Sequence, residues 1–546
     1  MKLYEALARG IQNEGVTDCF ALLGDANMHW AGAQSELGMN FIYTRHEHAA
    51  VAGAAAYARS TRKTGFASVT CGPGLTQILT ILPIAVRARI PLVILAGEAP
   101  LKKAWYNQGI DQAPFVEACG AIYVPVHDQT TALEALHKAF ATAKERRVPV
   151  VLGVPFDLQK ENYFGPQEHP ISTQLYTAAP PVSPDQSQIA KAAAWINAAR
   201  KPVILAGLGA VAAEAKPACV ALAEKAGALL ATTLPAKGLF YDQNYSLGVA
   251  GGYASEAAKE VFKQTDLVIA IGSRLASHAF NGGKLTPKAK IIHLDTDPQT
   301  HVQGRKAADL LVPSDAKLGA EALTKAIENK DGWRSAKMQQ RTAAALNIPD
   351  TSTTPDGFLH PMAVVKTLAD VISKDCHIIS TSGHCAYYVA QMSHHPQDHF
   401  TVIRDFGAIG NGTSWALGIA TAYPDRPVVL IDGDGSALMH IQELETIARH
   451  EMKVLIVVLN DGAYGSEIHK LRADGISEEG AVFGRPNFAG IAKGFGFEGR
   501  TVTDLKTLTG GFQAFHTVKR PSLWDVHISD QVASPQIMAA HRGTRP

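Results

Sequence analysis

The chain has 546 residues, 46% hydrophobic residues and a formal net charge of +1. This length exceeds what one hydrophobic core needs and predicts two to four domains. There is no polybasic run, and no apolar stretch is long enough to cross a bilayer, so we expect neither nucleic acid nor a membrane as a partner. The six cysteines are scattered without a CxxC pair, which argues against a zinc site or a disulfide framework. Because the start lacks the apolar segment of a signal peptide, we expect a cytoplasmic protein.

Short apolar runs recur along the chain, and each is followed by a turn and an Ala-rich helical pattern. This pattern is typical of parallel strands that helices cover on both faces of a sheet. Polar, Pro-rich stretches at about 159–184 and 347–357 divide the runs into three sets. We therefore predict an α/β protein with three doubly wound parallel-sheet domains, at residues 1–165, 185–335 and 357–535.

The most specific pattern is IDGDGSALMHIQELETIARHEMKVLIVVLNDGAYG, at residues 431–465. A strand ends near Asp434, one amphipathic helix follows, and a second strand ends at Asn460. The two residues lie 26 positions apart, which fits one strand–helix–strand crossover. We therefore expect them at the carboxyl ends of adjacent parallel strands, the edge at which such sheets bind ligands.

The residue types at this edge suit a magnesium–phosphate site. A carboxylate, an amide oxygen and a backbone carbonyl are hard oxygen ligands of the kind that Mg²⁺ takes in small number. Glycines allow backbone N–H groups to approach phosphate oxygens, and Ser436 is placed to cap the helix start. A plain tight turn with a helix cap is the alternative, and the sequence GDG alone would favour it.

Residues 431–465 resemble the thiamine-diphosphate motif of the acetolactate synthase / 2-oxo acid decarboxylase / benzaldehyde lyase superfamily. The resemblance covers nearly the whole chain, and its three parts correspond to the pyrimidine-binding, middle and diphosphate-binding domains of that family. It implies thiamine diphosphate and Mg²⁺ as cofactors, with Asp434, Asn460 and the carbonyl of Gly462 as metal ligands. The further cofactor contacts that it implies are Gly74, Gly383, His384, Cys385, Gly407, Ile409, Gly433, Gly435, Ser436 and Tyr464.

A second motif, TRHEHAAVAGAAAYARSTRKTG, places Glu47 between a strand and an Ala-rich helix. Without further context, Glu47 would be interpreted as a carboxylate at a helix N-terminus, where the helix dipole favours a negative charge. RHE followed by a helix and then Thr70-Cys71-Gly72-Pro73-Gly74 resembles the pyrimidine site of the family. The resemblance implies that the Glu47 carboxyl, kept close to neutral in an apolar pocket, hydrogen-bonds N1′ of thiamine and promotes loss of the C2 proton. It also implies that Ile409 bends the cofactor, although an ordinary core isoleucine is an equal alternative.

Three further residues are candidates for contacts with the substrate or the diphosphate. Asp25 follows a strand in LLGDANM, where turn chemistry is an equal alternative. Gln112, in GIDQAPF, resembles an active-site glutamine of benzaldehyde lyase and acetolactate synthases, and a solvated loop residue is the alternative. Cys385 follows His384 in a loop that contacts diphosphate or substrate in the family, but a buried core thiol is favoured for Cys385.

The resemblance implies that each cofactor touches two chains, because the family places the residues equivalent to Glu47 and Asp434 across a subunit interface. We therefore expect a homodimer or a homotetramer. The predicted partner is a small 2-oxo or 2-hydroxy carbonyl substrate.

The leading hypothesis is an acetolactate-synthase-like enzyme that decarboxylates a 2-oxo acid, with possible carboligation. The runner-up is a carboligase of the benzaldehyde lyase or 2-hydroxyacyl-CoA lyase type, which acts without decarboxylation. An NAD-dependent oxidoreductase is disfavoured, because no strand is followed by GxGxxG and a correctly spaced acid. The presence of Glu47, Asp434 and Asn460 disfavours a catalytically silent relative. The lone GLGA at 207–210 leaves FAD binding open.

Overall fold

The computed structural model describes residues 1–541 except 167, 352–353 and 519, and contains three parallel six-stranded sheets. The predicted fold class, three doubly wound α/β units, is confirmed. The sheets lie at residues 18–155, 202–313 and 377–527, inside the predicted domain ranges, whose boundaries stay predictions. Among the described residues, no helix is both long and apolar enough to span a bilayer.

The first sheet has the strand order β2-β1-β3-β4-β6-β5, with all neighbours parallel. Its strands are β1 (Asp18–Ala21), β2 (Asn40–Tyr43), β3 (Gly65–Val69), β4 (Leu92–Glu98), β5 (Ile122–Pro125) and β6 (Pro149–Pro155). Its helices are α1 (Leu3–Asn13), α2 (Met28–Glu36), α3 (Glu47–Thr61), α4 (Pro73–Thr76), α5 (Ile81–Ala88), α6 (Ala113–Ala118), α7 (Ala132–Arg146) and α8 (Phe156–Gln159), and the short α9 (Ser172–Leu175) follows.

The middle sheet has the order β14-β11-β10-β7-β8-β9, in which the strand order reverses between β7 and β10. Its strands are β7 (Pro202–Ala206), β8 (Leu229–Thr232), β9 (Ser246–Val249), β10 (Leu267–Ile271), β11 (Lys290–Asp295) and β14 (Leu310–Pro313), with β12 (His301–Val302) and β13 (Arg305–Lys306) forming a separate antiparallel pair. Its helices are α10 (Gln186–Ala198), α11 (Leu208–Ala212), α12 (Lys216–Ala226), α13 (Glu256–Phe262), α14 (Ala316–Ala326) and α15 (Ala336–Leu346).

The third sheet repeats the order of the first, as β16-β15-β17-β18-β20-β19. Its strands are β15 (His377–Ser380), β16 (Phe400–Val402), β17 (Val428–Gly433), β18 (Val454–Asn460), β19 (Glu498–Val502) and β20 (Ser522–His527). Its helices are α16 (Pro361–Val371), α17 (Cys385–Ala390), α18 (Gly412–Ala422), α19 (Asp434–Met439), α20 (Glu443–Arg449), α21 (Gly465–Asp474), α22 (Phe488–Gly494), α23 (Leu505–Thr517) and α24 (Pro535–His541).

The helix predicted between Asp434 and Asn460 is in fact two helices. Helix α19 ends at Met439, and His440 leaves the helical region with φ −130° and ψ 39°. Helix α20 begins at Glu443, three residues after His440. The prediction of one helix was wrong because the apolar spacing continues through the break, and periodicity alone does not register a local change of backbone conformation.

The first and third domains share one hydrophobic core, centred on the contact between α3 and α18. Every residue of α3 from His48 to Ala58 is buried, which explains its Ala-rich sequence. The backbones approach so closely that a Cβ added to Gly418 would lie 2.0 Å from the carbonyl oxygen of Gly53. This contact holds the start of α3, which carries Glu47, against the domain that carries Asp434.

We expect Gly418→Ala to destabilise the protein by about 3 kcal/mol or more, because the added methyl meets backbone rather than a movable side chain. The check is the urea midpoint of the first unfolding transition. Gly510→Ala is the matched control, since Gly510 lies in α23 with no atom near the added methyl. It should be neutral or stabilising by up to about 1 kcal/mol. An unchanged midpoint for Gly418→Ala would contradict the tight packing.

Candidate active site

Asp434 and Asn460 lie side by side at the carboxyl edge of the third sheet. β17 and β18 are adjacent and parallel, with Gly433 opposite Leu459 in the register. Asp434 directly follows β17, and Asn460 is the last residue of β18. The prediction that one crossover places these residues at the ends of neighbouring strands is confirmed.

The Asp434 carboxylate is held by two backbone amides. The N–H groups of Gly435 and Gly462 donate to its two oxygens, each at 2.7 Å. The side chain is buried, and burial raises its pKa. The neighbouring Asp461 is also buried, and its pKa is raised by burial and by the Asp434 charge. Two carboxyls so close in a poorly solvated site favour a cation between or beside them.

The Asn460 side chain is fully buried and turned in a defined direction. Its Nδ2 donates to the Asp525 carboxylate at 2.8 Å and to the Pro486 carbonyl at 3.3 Å. Because both partners accept only, the nitrogen must face them and the oxygen must face away. That oxygen has no hydrogen-bond partner. A buried acceptor without a partner is costly, and a bound cation would satisfy it.

The carbonyl of Gly462, the third predicted ligand, already has partners. It accepts from the backbone N–H groups of Phe483 and Gly484, each at 3.0 Å, while the Gly462 amide faces Asp434. Metal ligation by this carbonyl stays a prediction, and it would require the 483–484 loop to release it. The family resemblance placed this residue at the site, and the sequence gave no information about which of its backbone groups faces inward.

The donor set fits Mg²⁺ better than a transition metal. Among the residues that the structure describes, no group of three or more His, Cys, Asp or Glu side chains is arranged to hold a metal. The site instead offers the carboxylate of Asp434 and the free amide oxygen of Asn460, with the Asp461 carboxyl nearby. Mg²⁺ takes few protein ligands of this hard oxygen type and fills its octahedron with phosphate and water.

Asp432, a residue that the sequence analysis did not single out, organises the loops beneath this edge. Its buried carboxyl accepts from the hydroxyls of Thr381 at 2.5 Å and Ser436 at 3.0 Å, and burial raises its pKa to about 6. Ser436 in turn accepts from the Gly410 amide at 2.9 Å. The prediction that Ser436 caps a helix start was wrong: Gly433 is the N-cap of α19, without a side-chain cap, because the hydroxyl is used elsewhere.

The predicted diphosphate-contacting glycines lie in the loops around Asp434. Gly383 and Gly407 have φ of +116° and +80°, which L-residues rarely adopt. A Cβ on Gly435 would lie 2.6 Å from the ring of Tyr464, so a larger residue there would displace that ring. Ile409 is half-buried beside Gly410, and its carbonyl accepts from Asn411 at 3.4 Å.

His384 and Cys385 begin the α17 region on the same edge. His384 Nε2 accepts from the Ser534 amide at 2.9 Å, and burial lowers the pKa of His384 to about 3, so the ring is neutral with its proton on Nδ1. Burial raises the pKa of the Cys385 thiol far above the neutral range. The thiol therefore stays protonated, as expected of the core thiol that the sequence favoured.

Glu47 lies at the first position of α3 and is partly exposed. One of its carboxylate oxygens is 3.6 Å from the position of a Cβ on Gly74, so the structure brings the RHE and TCGPG motifs together. The preceding residue, His46, caps α3 by accepting from the His48 amide at 3.0 Å. These contacts leave the carboxyl free to face a ligand.

Glu443, also not predicted, fixes the loop before Glu47. Its buried carboxyl accepts from the Arg45 amide at 3.0 Å and the Thr446 hydroxyl at 2.7 Å, and burial raises its pKa to about 7. His48 adds a second link between the domains, with Nε2 2.8 Å from Asn411 Oδ1. These roles depend on hydrogen bonds between residues far apart in the sequence, so no local pattern could have indicated them.

Gln112 and Asp25 differ in how free they are to meet a substrate. Gln112 is buried, and its amide accepts from Gly72 at 2.9 Å and donates to the Gly97 carbonyl at 3.0 Å and to Tyr123 at 3.1 Å. It is not a solvated loop residue, and it positions the loop before Gly74. Asp25 is exposed. Their roles toward substrate stay predictions.

Comparison with known proteins assigns this architecture to a class. Residues 1–115 match the N-terminal thiamine pyrophosphate binding domain of thiamine pyrophosphate enzymes, residues 189–323 the central domain, and residues 381–526 the C-terminal thiamine pyrophosphate binding domain. The chain belongs to the thiamine pyrophosphate enzymes, and it is therefore an enzyme with two domains of the cofactor-binding type.

Its relatives within that family include acetolactate synthases. The large subunit from Haemophilus influenzae is 28% identical over 96% of this chain and 94% of its own length. The probable large subunit from Methanocaldococcus jannaschii is 28% identical over 100% of this chain and 95% of its own. The isozyme 2 large subunit from Escherichia coli is 27% identical over 96% and 95%.

We expect Asn460→Ala to weaken Mg²⁺-dependent binding of thiamine diphosphate about 10- to 100-fold, because the free amide oxygen is lost. Asp525→Asn should weaken it as well, because an amide at 525 can donate as well as accept and so no longer fixes which end of the Asn460 amide faces it. The measurement is a Mg²⁺ titration at fixed cofactor.

The control for this titration is Asn197→Ala, in the middle domain. It also removes an amide oxygen, one that accepts a hydrogen bond from the backbone N–H of Glu328. Its Mg²⁺ dependence should match that of the unmodified protein. Unchanged Mg²⁺ dependence in Asn460→Ala would show that the free oxygen is not a metal ligand.

Proposed function

We propose that this enzyme uses thiamine diphosphate and Mg²⁺ to release CO₂ from a small 2-oxo acid and to join the remaining fragment to a second carbonyl compound. The relatives named acetolactate synthase, matched over nearly their full length, support this reaction class. The observation that carries the proposal is the partnerless Asn460 oxygen beside the Asp434 carboxylate.

In this proposal Asp434 and Asn460 would hold Mg²⁺, and the loops that carry Gly383, Gly407 and Gly433 would receive the diphosphate. Asp434 supplies the charge and the Asn460 oxygen a neutral ligand. Asp432 keeps the loops of Thr381 and Ser436 at a fixed spacing. Such preorganisation avoids reordering of the site when the cofactor arrives.

Thiamine diphosphate, when bound, supplies a carbon nucleophile and accepts the electron pair that is released when the bond next to a carbonyl breaks. Glu47 shares a proton with the pyrimidine N1′, which sets the protonation state of the cofactor amine. Glu443 and His48 hold the start of α3, so the Glu47 carboxyl does not move when it exchanges that proton. Ile409 would support the cofactor ring, and the Asn411 side chain donates to the Ile409 carbonyl.

The substrate would occupy the space between Asp25 and the loop after β4. Burial raises the pKa values of Cys71 and Tyr106, and the charge of the exposed Asp25 raises them further. In our proposal Asp25 contacts the substrate, and Gln112 acts by positioning Gly72.

The six cysteines are unpaired, which supports the proposed cytoplasmic location.

Exposed apolar side chains lie in the segments that follow the site-bearing strands, and they support assembly with a second copy. They follow β4 in the first domain, including Trp105, which is 78% exposed, and β17 and β18 in the third, including Met439, Tyr464 and Phe483. Tyr464 and Phe483 are in ring contact, and neighbouring exposed apolar side chains of this kind are frequent at protein interfaces. We propose a homodimer or homotetramer in which Glu47 of one copy faces Asp434 of another.

The reaction class is tested by incubating the holoenzyme with pyruvate and, separately, with a 2-hydroxy ketone. We expect CO₂ release from the 2-oxo acid, with a carboligated product when a second carbonyl compound is present. Cleavage of the hydroxy ketone to free aldehyde, with no CO₂ from 2-oxo acids, would contradict the proposal. It would assign the enzyme to the benzaldehyde lyase or 2-hydroxyacyl-CoA lyase type.

Hybrid assemblies test whether two copies share each site. We expect Glu47→Gln and Asp434→Asn to be almost inactive alone. Mixed and reassembled, they should recover about a quarter of the original activity, because half of the dimers are hybrids and each hybrid has one intact site.

The matched control pairs Asp434→Asn with Asn460→Ala. Both changes lie in the same domain, so no hybrid of these two has an intact site, and mixing should not raise the activity above the mean of the separate variants. Verified hybrids of Glu47→Gln and Asp434→Asn without activity would mean that one chain supplies both residues.

A further inference from the structure

The side chain of Lys237 is buried where the middle and third domains meet. Lys237 lies in the turn after β8 and is only 3% exposed. Its Nζ donates to the carbonyl of Met392 and lies 4.5 Å from the centre of the Phe400 ring, and both of these residues belong to the third domain. The backbones are tightly packed here, since a Cβ on Gly238 would lie 2.5 Å from the His395 carbonyl oxygen.

The Lys237 amine has too few partners for a buried cation. A protonated amine carries three N–H groups, but among the described residues the Met392 carbonyl is the one hydrogen-bond acceptor of Nζ, and Lys237 has no ion pair. A buried charge without an acid is costly. Burial lowers the pKa of Lys237 to about 7, so a substantial share of the amine is unprotonated and nucleophilic near neutral pH.

The groups around Lys237 are mainly cationic or basic. His394 and the buried His395 follow Met392 in the loop between α17 and β16. Burial lowers the pKa values of both histidines, and the Lys237 charge lowers both further. Lys374 also lowers the pKa of His394, and the carboxylate of Asp370 opposes this effect. These groups would therefore attract a negative charge at the end of Lys237, whereas they repel the positive one.

A small cavity lies beside Lys237. Its volume is about 30 Å³, enough for about two water molecules and therefore for a group of three heavy atoms. Lys237 lines it together with Tyr241, Gln391 and Ser393, which are partly exposed. The partly exposed rim gives a small neutral molecule a route from solvent to the lysine.

We propose that Lys237 is a carbamylation site, at which the buried amine takes up CO₂. The Nζ lone pair forms a bond to the carbon of CO₂, one C=O π pair moves onto oxygen, and the nitrogen releases one proton to solvent. The product keeps an N–H that can donate to Met392, and it gains a carboxylate among Lys374, His394 and His395. The proposal does not rest on the proposed function, because dissolved CO₂ is sufficient, although an enzyme that releases CO₂ would also supply it.

The test labels the carbamate and then traps it. The holoenzyme is equilibrated with ¹³C-bicarbonate, treated with triethyloxonium tetrafluoroborate to convert any carbamate into its ethyl ester, digested and analysed by mass spectrometry. We expect the peptide that contains Lys237 to carry one ¹³C-labelled ethoxycarbonyl group. ¹³C NMR of the untreated sample should show a protein-bound carbamate, and this readout needs no access for the reagent. Absence of both signals would overturn the proposal.

Lys330 is a matched control within the same chain. Burial lowers its pKa as well, but its Nζ donates to the carbonyls of Ile196, Asn197 and Ala199. Three acceptors match the three N–H groups of a charged amine, so we expect no adduct on Lys330. Equal labelling of Lys330 and Lys237 would show general reaction of amines and would contradict a dedicated site.

The labelled fraction should also depend on pH. At a fixed CO₂ pressure we expect it to rise between about pH 6 and about pH 8, because the unprotonated amine reacts and the pKa of Lys237 is about 7. A labelled fraction that stays constant across this range would contradict reaction at this amine.

Lys237→Met separates carbamylation from the packing of the side chain. Because CO₂ would bind the folded protein alone, bicarbonate should raise the Tm of the unmodified protein by about 2 °C or more, relative to chloride at equal ionic strength. The Tm of Lys237→Met should not respond, and that of Lys330→Met should respond fully. An equal rise in Lys237→Met and the unmodified protein would refute the site. If Lys237→Met does not fold, the labelling of the unmodified protein decides.

Discussion

The hydrogen bond from Asn460 Nδ2 to the Asp525 carboxylate determines what the edge of the third sheet can bind. A primary amide offers a donor end and an acceptor end, and a buried carboxylate can pair only with the donor. The Asn460 oxygen therefore faces away from Asp525 and is left without a partner, at the strand end next to Asp434. A stable fold tolerates such an unsatisfied acceptor where a ligand completes it, and a hard divalent cation suits this pair of oxygens.

The first and third sheets have the same strand order, and the helices at equivalent places in the two domains bring the acid and the metal site together. In each domain the helix after the second strand, α3 or α18, is buried against its counterpart. This packing fixes Glu47 on the third domain of its own chain, through Glu443 and His48. Glu47 nevertheless stays partly exposed, and this exposure underlies our proposal that a second copy completes the pocket.

Local sequence predicted the features that local physics determines. Apolar runs marked most of the strands, and the length of one crossover placed Asp434 beside Asn460. Short strands with polar residues, such as β1 and β19, gave no comparable signal. The hydroxyl of Ser436, the amide of Gln112 and the direction of the Gly462 carbonyl depend on partners distant in sequence, and for that reason their contacts could not be predicted.

The central claim is that the third domain holds a diphosphate through a divalent cation. The most direct measurement is calorimetric titration of thiamine diphosphate into the unmodified protein, once with Mg²⁺ and once with EDTA. The account predicts saturable binding with Mg²⁺ and loss of most of that affinity with EDTA. Equal affinity under both conditions, or no binding with Mg²⁺, would contradict it.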